Sequence, residues 1–290
     1  MGQAAEIQEC GRPRRLMGRT TVLSRNLGSV CVALALLIVQ WAGVAAARET
    51  ITVLAFEYPP IYQDAPDKGL GCEIVAEAFR AVDIDVQFDF YPVIRMVNSV
   101  SSGKALCGIG GMVLFSDPGV RDNVVFSDTI QYVLQGFLFD VRKYPSGISF
   151  TNLGDMRGYS IGVLNGSGIM KYLEADGKLT LVSNVTHDGS AMQLHENRID
   201  VWGIVDLTGI MYMKKLYPNE YKQYRISKEF NRGDISLVFS KALDSHGVYN
   251  AKFRSGLGII KKNGTYMKIM EKYYGGVDAV NMDALPDDMR

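Results

Sequence analysis

The chain has 290 residues, 47% hydrophobic and 21% charged, with 31 basic groups balancing 31 acidic ones. This is ordinary globular composition, long enough for one large domain or two modest ones. Five of the basic and two of the acidic groups lie in residues 1–47, so the remainder carries 26 basic against 29 acidic groups and has no polybasic face, which argues against nucleic acid as a partner.

The N-terminus reads as an export signal. Arg19 and Arg25 precede the apolar run "VCVALALLIVQWAGVAAA", and Ala45 and Ala47 form the small-residue pattern that places cleavage after Ala47. An uncleaved membrane anchor is the alternative, since the run approaches spanning length. Met17 as the start would leave a leader of ordinary length. No cysteine stands where a lipid anchor would need one, because Cys31 lies at the beginning of the run. Beyond residue 47 two cysteines remain, Cys72 and Cys107. In an oxidising compartment they are a disulfide candidate; their apolar neighbours suit two buried thiols equally well. Three histidines and no zinc-ligand spacing give no metal site and no cofactor motif.

Along the rest of the chain, "ITVLAF" predicts a strand that ends in the rigid loop "EYPPIYQ". "GCEIVAEAFRAV" places Ile74, Ala78, Phe79 and Val82 on one helical face. "DVQFDFYP" alternates as a strand, "VIRMVNSVSSGK" predicts a helix stopped by Gly103, and "ALCGIGGM" a glycine-rich strand. This order predicts a parallel sheet flanked by helices. A second block repeats it: strand, glycine turn and helix in "DMRGYSIGVLNGSGIMKYLEAD", the strand "TLVSNV", helix and strand in "DGSAMQLHENRIDVWGIVD", and the helix "LTGIMYMKKLYP" closed before Pro218. "DISLVFSK" returns as a strand, and two helices, "VYNAKFRSGLGIIKKNG" and "TYMKIMEKYYG", finish the fold. The expectation is an α/β fold of two lobes, each a mostly parallel sheet with flanking helices, joined by two crossing strands near residues 137–143 and 232–237. Lobe 1 would comprise residues 48–138 and 237–276, lobe 2 residues 139–236, and residues 277–290 a polar tail. A cleft over such a hinge is the default ligand site.

Seven stretches in this order, "ITVLAFEYPPIYQ", "GLGCEIVAEAFRAV", "SSGKALCGIGGM", "VVFSD", "MRGYSIGVLNGSGIMKYL", "NRIDVWGIVD" and "KKNGTYMKIMEKYYG", resemble the family 3 periplasmic solute-binding proteins of ABC importers, which have the type 2 periplasmic binding fold. They span residues 50–275. The resemblance implies a non-catalytic, monomeric periplasmic protein that captures a small polar solute, an amino acid or a related organic acid or amine, and hands it to a membrane permease.

The residues offer specific contacts. Gly166 and Ser167, after Asn165, open a helix whose first amides lack internal partners and attract anions; Ser167 as a simple cap is the other reading. Asp206 stands at the carboxyl end of a predicted parallel strand, where open α/β sheets bind ligands, and the resemblance implies pairing with a substrate ammonium; a helix N-cap is the alternative. Asp200 is expected to serve a turn and Trp202 the core. Tyr58 suits an aromatic cleft wall. The resemblance also implies a carboxylate clamp formed by Gly111, Met112 and Arg121, but Val113 replaces the hydroxyl residue and the loop spacing differs, so Arg121 is left between cleft and solvent, paired there with Asp117 or Asp122. Arg95 is a second basic candidate at the start of its helix. An enzyme of the cyclohexadienyl dehydratase type, using Glu57 or Asp206 as proton donor, and a sensing or accessory binding protein remain as alternatives.

Overall fold

The computed structural model describes residues 48–290; the expected leader and its cleavage point lie outside the described residues. β1 (Glu49–Ala55) is followed by α1 (Leu70–Arg80) and β2 (Ile84–Phe90), and β1 pairs with β2 in parallel along its whole length, from Glu49 opposite Ile84 to Ala55 opposite Phe90. Leu70, Ile74, Val75, Ala78 and Phe79 give α1 its buried face. α2 (Val93–Ser101) leads to β3 (Cys107–Gly110), which pairs in parallel with the other side of β1. All four residues of β3 are buried, and its glycines have a packing cause: a Cβ on Gly108 would lie 3.2 Å from Met96 Cγ of α2. The short α3 (Pro118–Arg121), capped by Asp117, and β4 (Val124–Phe126) follow.

The second lobe repeats the plan. β6 (Ser160–Leu164) pairs in parallel with both β7 (Thr180–Asn184) and β8 (Val201–Val205), with α4 (Gly168–Glu174), α5 (His187–His195) and α6 (Asp206–Leu216) connecting or following them. β9 (Tyr224–Ile226) closes the edge.

Two ten-residue strands tie the lobes together, β5 (Gln131–Asp140) and β10 (Asn231–Ser240). Their first halves pair with each other, Gln131–Gln135 antiparallel to Asn231–Ile235. The second half of β5 then enters the lobe 2 sheet beside β8 and β9, whereas that of β10 enters lobe 1 beside β3 and β4. The resulting strand order is β2-β1-β3-β10-β5-β8-β6-β7. The first crossing therefore lies near residues 131–135, ahead of the expected 137–143. The cause is composition: Phe137, Leu138 and Phe139 already belong to buried core, and Gly136 is the entry point, where a Cβ would approach Ile226 Cγ1 to 2.8 Å. The second crossing, between Ile235 and Ser236, falls inside the expected range.

α7 (Val248–Lys262) and α8 (Thr265–Tyr274) return to lobe 1 and pack on α1, with Lys272 Nζ 2.6 Å from Glu73 Oε2. Residues 277–290 are not a free polar tail: Val280, Ala284 and Leu285 are buried, and Arg232 of β10 donates to the carbonyls of Asp283 and Leu285. Cys72 and Cys107 form no disulfide; both are free and buried, and burial pushes both thiols up. Among the described residues no helix is long and apolar enough to cross a membrane.

The α1–α7 contact gives a paired test. A Cβ on Gly256 would stand 1.8 Å from the Ala78 carbonyl oxygen, whereas nothing lies within 4 Å of one on Gly258. Gly256→Ala should destabilise the protein by about 1–3 kcal/mol through overpacking, and Gly258→Ala should stabilise it by up to about 1 kcal/mol through helix propensity; urea unfolding of the two variants reads both.

Candidate functional site

The loop after β1 carries an aromatic residue from one lobe to the other. Tyr58 is held in a tight turn, its amide donating to the Tyr62 carbonyl (2.9 Å) and its carbonyl accepting from the amides of Ile61 and Tyr62. Its ring meets His187 of α5 edge-on at 5.2 Å, and its hydroxyl lies beside the Val205 backbone at the end of β8. Burial pushes that hydroxyl well up. A second contact across the gap joins Val113, after β3, to the start of α4, where a Cβ on Gly168 would sit 3.7 Å away. The lobes thus meet over the β5–β10 crossing.

Asp206, the first residue of α6, lies at the lobe 2 side of this gap. Its Oδ1 accepts from the Leu207 amide at 2.7 Å, which a helix start supplies. Among the described residues it makes no ion pair with any cation. Burial, with a smaller contribution from the charge of Glu229, which also lacks an ion-pair partner among the described residues, raises its carboxyl to about 6. Tyr58 of the β1 loop and Tyr274, the last residue of α8, are both within electrostatic reach of Asp206. Asp200, six residues earlier on the same segment, behaves oppositely: it accepts from the Ser160 amide and hydroxyl, from Lys143 and from Tyr144, so its carboxyl is held well below the usual range. It serves the turn, as expected, and Trp202 is fully buried.

Gly111 and Met112, directly after β3, lie against β10. A Cβ on Gly111 would meet the Asp234 carbonyl oxygen at 2.9 Å, so β10 approaches closely here. The Met112 amide donates to Asp234 Oδ2 at 3.3 Å. Arg121 at the end of α3 places its guanidinium 4.2 Å from the centre of the Phe126 ring and within electrostatic reach of Asp234; it pairs with neither Asp117, which caps α3 by accepting from Gly119, nor Asp122. Ser167 is the N-cap of α4, its hydroxyl oxygen accepting from the Met170 amide at 3.1 Å, and Gly166 holds the left-handed φ of 68° that the preceding turn requires. Arg95 stands apart: its guanidinium stacks 4.5 Å from the Tyr91 ring in an open groove with Asn98, Ser99 and Lys104. Glu57 is exposed and accepts from the Asp64 amide within its own loop.

Tyr58 of lobe 1 and Asp206 of lobe 2 therefore lie within reach of each other, Met112 is bonded to Asp234 with Arg121 in reach of the same carboxylate, Gly166 and Ser167 form the turn and cap of α4, and Arg95 stands in a separate groove on lobe 1. The sequence reading missed Asp234, Tyr274, Tyr62 and His187. A charged residue inside the apolar run "GDISLVFS", at the expected crossing, was the available signal for Asp234. His187 carried none: its ring is buried among Tyr58, Trp202 and Tyr212, both nitrogens lack hydrogen-bond partners, and burial lowers it to about 4.

No family model matches the chain. Its sequence is 23% identical over 229 residues to the probable amino-acid-binding protein YxeM of Bacillus subtilis (strain 168), covering 75% of this chain and 80% of that one. Among solved structures, it resembles a histidine kinase sensor domain with similarity to periplasmic binding proteins (18% identity, 79% of this chain and 97% of that one, TM-score 0.61) and an ancestral arginine-binding protein bound to arginine (21% identity, 79% and 100%, TM-score 0.58). The two-lobed periplasmic-binding-protein fold expected from the seven stretches is the observed one.

Asp206 has a measurable signature. Between pH ~4 and ~6 the folded protein keeps a proton on this carboxyl that the unfolded chain releases, so its contribution favours folding at low pH and is lost as pH rises through about 6. Asp206→Asn should remove a decline on the order of 3 kcal/mol across that window; urea unfolding of both proteins at several pH values checks the difference, which cancels the carboxylates common to both.

Proposed function

We propose that the protein is an extracytoplasmic solute-binding protein that captures a small polar solute between its lobes and delivers it to an ABC permease. One observation carries the reading: a largely desolvated carboxylate, Asp206 of lobe 2, lies within reach of Tyr58 and Tyr274 of lobe 1 with no cation paired to it among the described residues. Burying an uncompensated charge is unfavourable, and a bound cation relieves that cost. The hinge supports the rest. A solute that touches Asp206 on one lobe and Tyr58 or the Gly111–Met112 segment on the other gains contacts only in the closed form, so binding shifts the population toward closure.

The named relative is a probable amino-acid-binding protein, and an arginine-bound protein shares the fold. Both support a nitrogenous small molecule as cargo. The apolar run ending at Ala47 supports export with cleavage after that residue, and the resemblance to solute-binding proteins supports action as a periplasmic monomer. Its role is binding rather than turnover: Glu57 is engaged within its loop, and Asp206 is assigned to holding the cationic group, with Tyr58 and Tyr274 as walls.

Thermal-shift screening against amino acids, polyamines, organic acids and sugars should find a compound that raises the melting temperature. Asp206→Ala and Tyr58→Ala should each remove most of that rise while leaving the fold intact by circular dichroism. The affinity for a cationic hit should also tighten as pH rises through about 6, as Asp206 ionises; equal affinity at pH 5 and pH 7.5 would contradict the assigned role.

A further inference from the structure

On the lobe 1 side one donor is already engaged by the protein's own acid. The Met112 amide donates to Asp234 Oδ2 at 3.3 Å. Arg121, which forms no ion pair among the described residues, exerts its charge on the same carboxylate. An incoming carboxylate seeking these two groups would have to lie against Asp234, and two carboxylates sharing one partly desolvated site repel strongly. The remaining charges point the same way, since Asp206 and Glu229 add two acids without cations. A separate feature is an unpartnered group near Asp234. The Tyr62 hydroxyl, on a residue only 1% exposed, has no hydrogen-bond partner, although it is within electrostatic reach of both Asp234 and Tyr58. A buried hydroxyl without a partner is unfavourable, and an ammonium or guanidinium N–H beside Asp234 would supply one.

We propose that Asp234 fills the carboxylate position of the cleft from within, so that the protein selects amines or guanidines that carry no carboxylate group over the corresponding α-amino acids. Asp206 and Asp234 then present carboxylates from the two lobes, and the half-buried Tyr58 and Tyr274 rings supply surface that suits a cation's methylene stem. The inference rests on the solute-binding reading and narrows it to a chemical class.

Three matched pairs test it, each differing by one carboxylate: agmatine and arginine, putrescine and ornithine, cadaverine and lysine. Calorimetry at pH 7.5 should show at least one amine binding ten- to a hundredfold more tightly than its amino acid. Asp234→Ser should shrink that ratio at least tenfold by strengthening amino-acid binding, and Asp234→Asn should do so without changing the side chain's shape. An amino acid that binds as well as its amine overturns the inference and leaves solute binding standing, as does tight binding of an organic acid from the wider screen. Binding of no compound in either set defeats the cleft reading itself. The wild-type ratios decide the matter even if both Asp234 variants fold poorly.

Discussion

β5 and β10 each belong to both lobes, and their antiparallel pairing at Gln131–Gln135 and Asn231–Ile235 is the constraint that organises the molecule. Ten residues of strand extend roughly 33 Å, enough for one half to pair with the other crossing strand and the other half to enter a sheet. The two sheets diverge where the partners change, at Gly136 and between Ile235 and Ser236. Ile235 and Phe137, on either side of that divergence, are buried in the core. Asp234 is the last residue of the polar first half of β10, just ahead of the partner change, with its carboxylate toward the Met112 amide.

The charge distribution follows from this architecture. Several acids elsewhere have cationic partners, Asp140 with Arg142, Asp176 with Arg157 and Glu73 with Lys272. Around the gap they do not. Asp206 and Glu229 are left without cations, and Asp234 feels Arg121 only at a distance. Locally unfavourable groups that persist inside an otherwise well-satisfied fold are characteristic of sites shaped for something other than stability. Here the missing partner is positive, and the hinge gives the two lobes a way to converge on it.

The two aspartates of "DVWGIVD" illustrate what can be read from residues alone. They bracket one strand, and position relative to its carboxyl end distinguished them: Asp200 ties down a turn with four hydrogen bonds, whereas Asp206 opens a helix at the gap. The arginines were less legible. Arg95 and Arg121 both stand on aromatic rings, and only the position of those rings separates a groove on lobe 1 from the rim of the gap. Ser167 was ambiguous between cap and contact, and its hydroxyl oxygen is engaged in the cap. The tail was misread because its few apolar residues are spaced for short turns against the hinge rather than for a periodic element.

Hydrophobic periodicity and glycine placement are local, so the sequence by itself determined the succession of strands and helices, the division into two repeated blocks, and Tyr58, Gly111, Met112 and Asp206 as residues at the ends of strands, where α/β sheets open. Which groups face one another across the gap is a matter of long-range register. Asp234 meets Met112 over a separation of 122 residues, and Tyr274 nears Asp206 only because α8 folds back onto lobe 1. Those meetings were decided by the tertiary structure, because no local pattern encodes the point at which two distant strands change partners.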